Sequence, residues 1–255
     1  MRLDGPSRMG ALAGAVVCLS GCPNPNAYTV PRTLEPGDLQ ILVAAEAYGF
    51  SGKIASPATA GSSTPSSAVW GATPLLPTIG IRYGLVEGVD VGARFENFQS
   101  LAVDLKLWLL RGNLDMTLDP GLDAMYVDTE ITNADTTTVT RNAGVFYLHA
   151  PLLLGLNLSD SLTLVASPGV AYAVATGPVA GASNAEQSGA STALLARLGF
   201  GVDVRTSDRL AIHPELTCMR GFNSAQALLC VVGLALNIGA QPNYDDLRLA
   251  QPAEQ

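Results

Sequence analysis

Strict alternation of apolar and polar residues is the feature that most constrains the fold of this chain. The segment 100–110 reads SLAVDLKLWLL, and every second residue is apolar: Leu101, Val103, Leu105, Leu107 and Leu109. Asp104, Lys106 and Trp108 fall on the opposite face of a strand. A helix would place Asp104 beside Leu101, so the two-residue period predicts β-strands.

The pattern recurs often enough to predict about ten strands. They lie near residues 39–50, 77–85, 88–96, 100–110, 113–128, 143–158, 161–174, 191–205, 209–219 and 228–239. Tight turns join some consecutive strands, whereas most other connections are long and rich in Gly, Ser, Thr and Asn. Such alternation of short turns and long loops is typical of transmembrane barrels, which carry the two kinds of connection at opposite ends.

Prolines complicate three of these strands. Pro120, Pro168 and Pro214 each follow a turn by a few residues, and proline donates no hydrogen bond to a β-ladder. Either each proline marks a bulge, or Asp119-Pro120-Gly121 is a true turn and the number of strands differs from ten.

The start of the chain carries an export signal. Arg2 and Arg8 precede a short apolar segment, which ends in Leu19-Ser20-Gly21-Cys22. This stretch resembles the signal peptides of bacterial lipoproteins, which signal peptidase II recognises. The resemblance implies that residues 1–21 are removed and that Cys22 becomes the lipidated N-terminus, carrying palmitate or a similar acyl chain. An ordinary secretory signal with a chance cysteine is the alternative. Residues 22–38 follow as a Pro-rich tether.

Charge and composition narrow the function classes. Removal of residues 1–21 leaves 12 basic and 21 acidic residues and a net charge of −9, which argues against nucleic acid as a partner. Charged residues make up 14% of the chain, where about 25% is usual. After the signal no apolar run is long enough for a spanning helix. The apolar residues therefore fill a large core or cover the outside of many short strands.

Several segments resemble small bacterial outer-membrane β-barrel proteins. They read TIGIRYGLVEGVDVGARF, YLHAPLLLGLNLSDSLTLVASPGVAYAV and RLGFGVDVRTSDRLAIHPEL. The resemblance implies an all-β, antiparallel up-and-down barrel of about ten strands (8–12) over residues 39–239, of the transmembrane type, in the bacterial outer membrane. A disordered polar tail, 240–255, follows. The last strand lacks the aromatic end of many such barrels. The protein is expected to be a monomer whose partners are membrane lipid and the barrel assembly machinery. The lipid on Cys22 is expected in the inner leaflet, and both chain ends are expected in the periplasm.

Charged residues on the strands fall opposite the apolar faces, and a barrel would turn them into its lumen. They are Glu46, Arg82, Asp90, Arg94, Glu96, Asp104, Lys106, Asp115, Arg197, Asp203, Arg205 and Glu215. They could line an ion-selective pore or form a salt-bridge network that fills a narrow barrel. The network is the favoured interpretation, because a ten-stranded barrel is only modestly wider than one filled by side chains.

No catalytic, metal or cofactor site is predicted. Glu215 could orient His213, but no serine lies close to them on the strand, and His149 has apolar neighbours in sequence. Cys218 and Cys230 are the cysteines left after Cys18 and Cys22, and in an exported protein they predict a disulfide across the last hairpin. Two free thiols are the alternative.

These observations favour a lipid-anchored outer-membrane barrel with a structural, adhesive or minor transport role. A second hypothesis is a lipid-anchored soluble barrel or sandwich that binds an apolar ligand in the periplasm. A third is an outer-membrane enzyme that modifies lipids. The direction in which the Leu101, Val103 and Leu105 face points distinguishes the first two.

Overall fold

The computed structural model describes residues 24–54, 67–72, 76–132, 138–178, 188–222 and 228–250. Within them are twelve strands: β1 (Leu39–Ile54), β2 (Ser67–Ala72), β3 (Leu76–Val86), β4 (Val89–Glu96), β5 (Ser100–Leu110), β6 (Leu114–Leu118), β7 (Gly121–Thr132), β8 (Thr138–Asn157), β9 (Leu162–Pro178), β10 (Ser188–Ser207), β11 (Leu210–Gly221) and β12 (Leu228–Gly239). One short helix, α1 (Asp245–Ala250), follows them. Among the described residues, no helix has the length and apolarity needed to cross a membrane.

The strands close into an antiparallel barrel with ten strand positions around its wall, here called staves. β12 pairs with β1 along its whole length, from Gln40 opposite Gly239 to Ser51 opposite Leu228. β2 and β3 both pair with β1, one above the other. β6 and β7 likewise share the place between β5 and β8. Twelve strands therefore fill ten positions, which confirms the predicted class and number.

The prolines affect the barrel in different ways. Asp119-Pro120 divides one stave into β6 and β7, and Pro120 contributes only its carbonyl, which accepts from the Leu105 amide at 2.9 Å. Pro168 and Pro214 remain inside β9 and β11, opposite Leu198 and Leu234. Pro120 thus interrupts a strand without adding a stave.

The two faces of the wall have opposite chemistry. Leu101, Val103 and Leu105 point outward with 55%, 43% and 36% of their surface exposed. Asp104 and Lys106, which alternate with them, are buried in the lumen. An apolar outside and a polar inside invert the pattern of a soluble protein and match that of a membrane-spanning barrel.

The barrel has a short-turn end and a long-loop end. At the short-turn end, tight connections near 87–88, 111–113, 158–161 and 208–209 join the strands, β1 begins and β12 finishes. The connections that include 55–66, 179–187 and 223–227, which lie outside the described residues, leave from the long-loop end. The short link 97–99 also lies at the long-loop end, because it joins β4 to β5.

The structure differs from the expected tether and tail. Residues 24–36 are here called the plug segment. Residues 24–34 run inside the barrel, where Tyr28, Val30 and Leu34 are buried, whereas Glu35 and Pro36 are exposed. In the tail, Tyr244 and Leu247 are buried against the short-turn end. The signal 1–21, Cys22 and the last residues, 251–255, lie outside the described residues.

Candidate functional site: a plugged lumen

The plug segment crosses the lumen lengthwise. At the long-loop end, the Asn24 amide donates to Glu96 Oε2 at 3.1 Å, and Glu96 is the last residue of β4. At the short-turn end, the Leu34 amide donates to Asp90 Oδ2 at 3.1 Å, near the start of β4. The segment then turns through Gly37, whose φ is +88°, and enters β1. The described chain therefore begins at the long-loop end, which disagrees with the expectation that both ends share the periplasmic side.

Lumen side chains satisfy the plug backbone along its length. The carbonyls of Pro25, Tyr28, Pro31 and Arg32 accept from Arg197, Asn237, Thr117 and Lys106, in that order. The amides of Ala27 and Tyr28 donate to the Glu215 carboxylate. The prolines bring no N–H group, so they reduce the number of buried donors that need partners. A Pro-rich sequence is therefore suited to a polar lumen as well as to a tether.

The predicted charge network lies in the lumen. Arg82 bridges Asp90 and Asp104, and Lys106 Nζ lies 3.4 Å from Asp90 Oδ2. In a second group on the other side, Arg197 Nη2 is 3.8 Å from Glu215 Oε1, and Arg205 Nη1 is 2.8 Å from Asp203 Oδ2.

The remaining predicted charges meet the plug segment. Glu46 accepts from the Asn24 side chain and from Tyr48 Oη, Arg94 donates to the Asn26 carbonyl, and Asp115 accepts from Arg32. The network and the plug segment are therefore in direct contact inside the lumen.

Sequence reasoning missed Arg32, Asp119 and Asp123. Arg32 lies in the segment that the sequence predicts to be a tether. The two aspartates lie beside Pro120, where the alternation of apolar and polar residues is interrupted. One signal was available: glycines on the inward face leave room for the plug. A Cβ added at Gly233 would lie 1.8 Å from Tyr28 Oη, and one at Gly155 would lie 2.8 Å from Pro31 Cγ.

The histidines contact lumen carboxylates. His213 Nδ1 lies 3.3 Å from Asp203 Oδ1 and its Nε2 lies 3.6 Å from Glu215 Oε2. His149 Nε2 lies 3.7 Å from Asp123 Oδ1, a polar contact that its neighbours in sequence do not suggest. In the described part of the chain, neither imidazole is hydrogen-bonded to a serine.

At the short-turn end, Arg32 joins the plug segment to the wall and the tail, an arrangement here called the Arg32 clamp. The Arg32 guanidinium donates to Asp115 Oδ2 at 2.7 Å, to both Asp246 oxygens and to the carbonyls of Gly112 and Asn243. The Tyr244 ring lies between Arg32 and Arg205, with the guanidinium carbons 4.1 and 3.6 Å from its centroid. The hydrogen bonds from Arg32 hold the pKa of Asp246 below its usual value. The plug segment and the tail are thus joined through Arg32, Tyr244 and Asp246.

The disulfide lies on the outer wall near the long-loop end. Cys218 and Cys230 are directly opposite each other on β11 and β12, and their sulfurs are bonded. Their outward neighbours Leu216 and Val232 are 46% and 54% exposed, so the bridge faces away from the lumen as the register predicts.

The outer surface decides the location of the protein. Apolar side chains point outward from the barrel staves, and among the described residues 36 large apolar side chains are exposed. A closed barrel satisfies its backbone hydrogen bonds without water, which is the condition for crossing a bilayer with strands. The chain is an outer-membrane β-barrel in architecture.

Comparisons with known proteins agree only in general architecture. No protein-family model matches the chain, and no curated protein matches it. Among solved structures, the translocator domain of the autotransporter NalP from Neisseria meningitidis is 13% identical, with 91% of this chain and 95% of that chain covered and a TM-score of 0.43. Ail, the attachment invasion locus protein of Yersinia pestis, is 10% identical over 80% and 99%, with a TM-score of 0.37. Likenesses at this level assign no function.

Proposed function

We propose that this chain is a lipid-anchored outer-membrane β-barrel whose lumen is closed by its own N-terminal segment, and that its role is structural or adhesive. The observation that supports it most is the plug segment, which is buried over 24–34 except for the half-buried Ala27 and Thr33 and is bonded to both charge groups of the lumen. A barrel filled in this way presents its long loops outside and offers solutes no continuous path. Catalysis is not part of the proposal.

The side chains of the described lumen do not favour the second hypothesis, a soluble barrel that binds an apolar ligand. The lumen face carries Glu46, Asp104 and Lys106, whereas the leucines and valines that would line an apolar cavity point outward. One cleft of about 220 Å³ opens at the short-turn end, but Arg32, Glu87, Arg111 and Asp115 are among its lining residues. Leu34, Trp108 and Leu110 also line this cleft, which is an open pocket of mixed character at the surface and not an enclosed apolar chamber.

Lipidation and closure need separate tests. For the anchor, cells are fed an alkyne-tagged palmitate, and the outer-membrane fraction is compared between the natural chain and Cys22→Ala. We expect label on the natural chain alone. Equal labelling of both chains, or none, overturns the anchor.

For closure, the purified mature protein is inserted into planar bilayers beside a variant in which residues 24–34 are replaced by a Gly/Ser linker of equal length. The natural barrel is expected to show no steady conductance, and the variant is expected to conduct. Steady conductance of the natural barrel would restore the transport hypothesis and contradict a closed lumen.

A further inference from the structure

The direction of the plug segment restricts where an N-terminal lipid can lie. Asn24 is fixed at the long-loop end by the Glu96 and Glu46 carboxylates. Cys22 precedes it by two residues, which span at most about 7 Å. Asp90 and Glu96, which mark the two ends of the plug, are separated by six residues of β4, or about 20 Å. The Cys22 backbone, to which the lipid is attached, therefore cannot reach the short-turn end while Asn24 keeps its bonds.

Beside Asn24, the described barrel wall extends only a short way toward the long-loop end. β4 and β5 are joined at this point by residues 97–99, at the level of Met125 on the next stave. β7 continues beyond Met125 for seven residues, to Thr132, still paired with β8. The rim at 97–99 is thus a notch in the long-loop end, beside the first described residue of the chain.

An aromatic pair lies on the outer side of this notch. Phe98 is 69% exposed and Phe95, on the outward face of β4, is 46% exposed. Their rings meet edge to face with centroids 6.2 Å apart. Exposed aromatic rings at a barrel rim belong to the membrane interface, where acyl chains begin.

We propose that the lipid on Cys22 passes over the β4–β5 rim and that its acyl chains pack against Phe95 and Phe98 in the outer leaflet. This inference rests on the proposed lipidation of Cys22. It places the anchor on the opposite side of the membrane from the C-terminal helix, with the plug segment threaded between them. The anchor then holds the plug at one end while the Arg32 clamp holds it at the other.

Photo-crosslinking of the native protein tests this placement. Cells are fed a fatty acid that carries a diazirine and an alkyne, and they are irradiated before the protein is purified and digested with trypsin. Cleavage after Arg82, Arg94, Lys106 and Arg111 yields the peptides 83–94, 95–106 and 107–111. Fragment ions within 95–106 then separate the notch, 95–99, from Leu105 and Lys106, which lie level with Val91 and Asp90. We expect the peptide that begins at Cys22 to be crosslinked to 95–106, within residues 95–99.

Each outcome distinguishes the inference from its premise. Crosslinks mainly to 83–94 or 107–111, or a labelled protein without internal crosslinks, would overturn the placement but leave lipidation intact. Label no greater than that of Cys22→Ala would overturn lipidation itself. Phe98→Ala should lower the 95–106 crosslink at least threefold, whereas Phe200→Ala, which removes an outward ring from β10, should leave it unchanged.

Discussion

The plug segment is held by different chemistry at the two ends of the lumen. At the short-turn end, Arg32 has five hydrogen-bond acceptors from the wall and the tail, and Tyr244 covers it. Toward the long-loop end, Glu96 Oε1, Asp123 Oδ1 and Arg197 Nη1 are buried without a hydrogen-bond partner in the described protein, whereas in the clamp only Tyr244 Oη is so placed. A cavity of about 10 Å³ beside Asp123 and Arg197 is large enough for one water molecule.

This difference indicates how firmly each end of the plug segment is held. A buried cation with all its partners in place resists removal, because each partner left behind would be an uncompensated charge. Polar groups that are only partly paired hold a segment less firmly. The long-loop end instead gains a covalent link, the Cys218–Cys230 bridge in the wall. Stability of the plug should therefore be concentrated at the short-turn end.

Removal of the clamp should have the largest effect. Arg32→Ala leaves Asp115 buried without its cation, and we expect the free energy of unfolding to fall by about 3–5 kcal/mol. Urea unfolding in lipid vesicles, followed by tryptophan fluorescence, measures it. Arg209→Ala, at an exposed turn of the same end, is the matched control and should change stability by less than about 0.5 kcal/mol. Equal effects of the two substitutions would refute the clamp.

Loss of the bridge should rank second. Replacing Cys218 and Cys230 together by serine frees a link between residues 12 apart in sequence, and we expect a loss of roughly 3 kcal/mol. The same unfolding measurement applies, with a reductant added to the natural protein for comparison. The reduced protein should match the double variant, and the reductant should not alter the variant. Unchanged unfolding on reduction would show that the bridge does not hold this end.

The rate of amide hydrogen exchange should differ between the two ends of the plug segment. The Leu34 amide donates to the buried Asp90 carboxylate, whereas the Asn26 amide donates to the nearby Asn24 side chain. Hydrogen–deuterium exchange of the native protein should therefore be about tenfold slower at Leu34 than at Asn26. Faster exchange at Leu34 would reverse the order of the two ends.

Acid should weaken the clamp slightly. The pKa of Asp246 is lowered in the folded protein by its bonds to Arg32, with Arg111 also nearby. Its contribution is complete above the unfolded pKa of about 3.9 and is lost as the pH falls through the lower folded pKa. Because Asp246 is partly exposed, the effect should stay below about 1 kcal/mol. Asp246→Asn should abolish this part of the difference between unfolding at pH 6 and at pH 2.5, and an unchanged difference would speak against it.

The periodicity of the sequence predicts the strands of the barrel wall but does not predict the plug segment. Alternation in 100–110 gave the outward Leu101 face and the inward Asp104 face, because every stave faces lipid on one side and polar groups on the other. The segment 24–36 has no such period, since its residues meet the lumen on all sides. Its partners, such as Glu215 for Tyr28, are 187 residues away in sequence. No local pattern reveals a contact of that kind.

The same limit applied to the tail and the strand boundaries. The isolated Tyr244 is polar-flanked in sequence, and only the meeting of Arg32 with Arg205 creates the place it fills. For Pro120 the sequence left a bulge or a true turn as the alternatives, and the structure shows neither: β6 and β7 continue in one register along β5, which only the pairing with β5 and β8 reveals.

Disulfide trapping inside the lumen tests the threaded plug most directly. A Cβ at Gly155 would lie 2.8 Å from Pro31 Cγ, so Pro31→Cys with Gly155→Cys should form a bond in the folded protein. The matched pair, Pro25→Cys with Gly155→Cys, should not, because Pro25 lies beside Arg197 toward the other end. Mass spectrometry of the unreduced tryptic peptides reads both results. A bond in the first pair alone is the predicted outcome, and no bond there, or a bond in the second pair, would contradict a plug that runs through the lumen from Asn24 to Leu34.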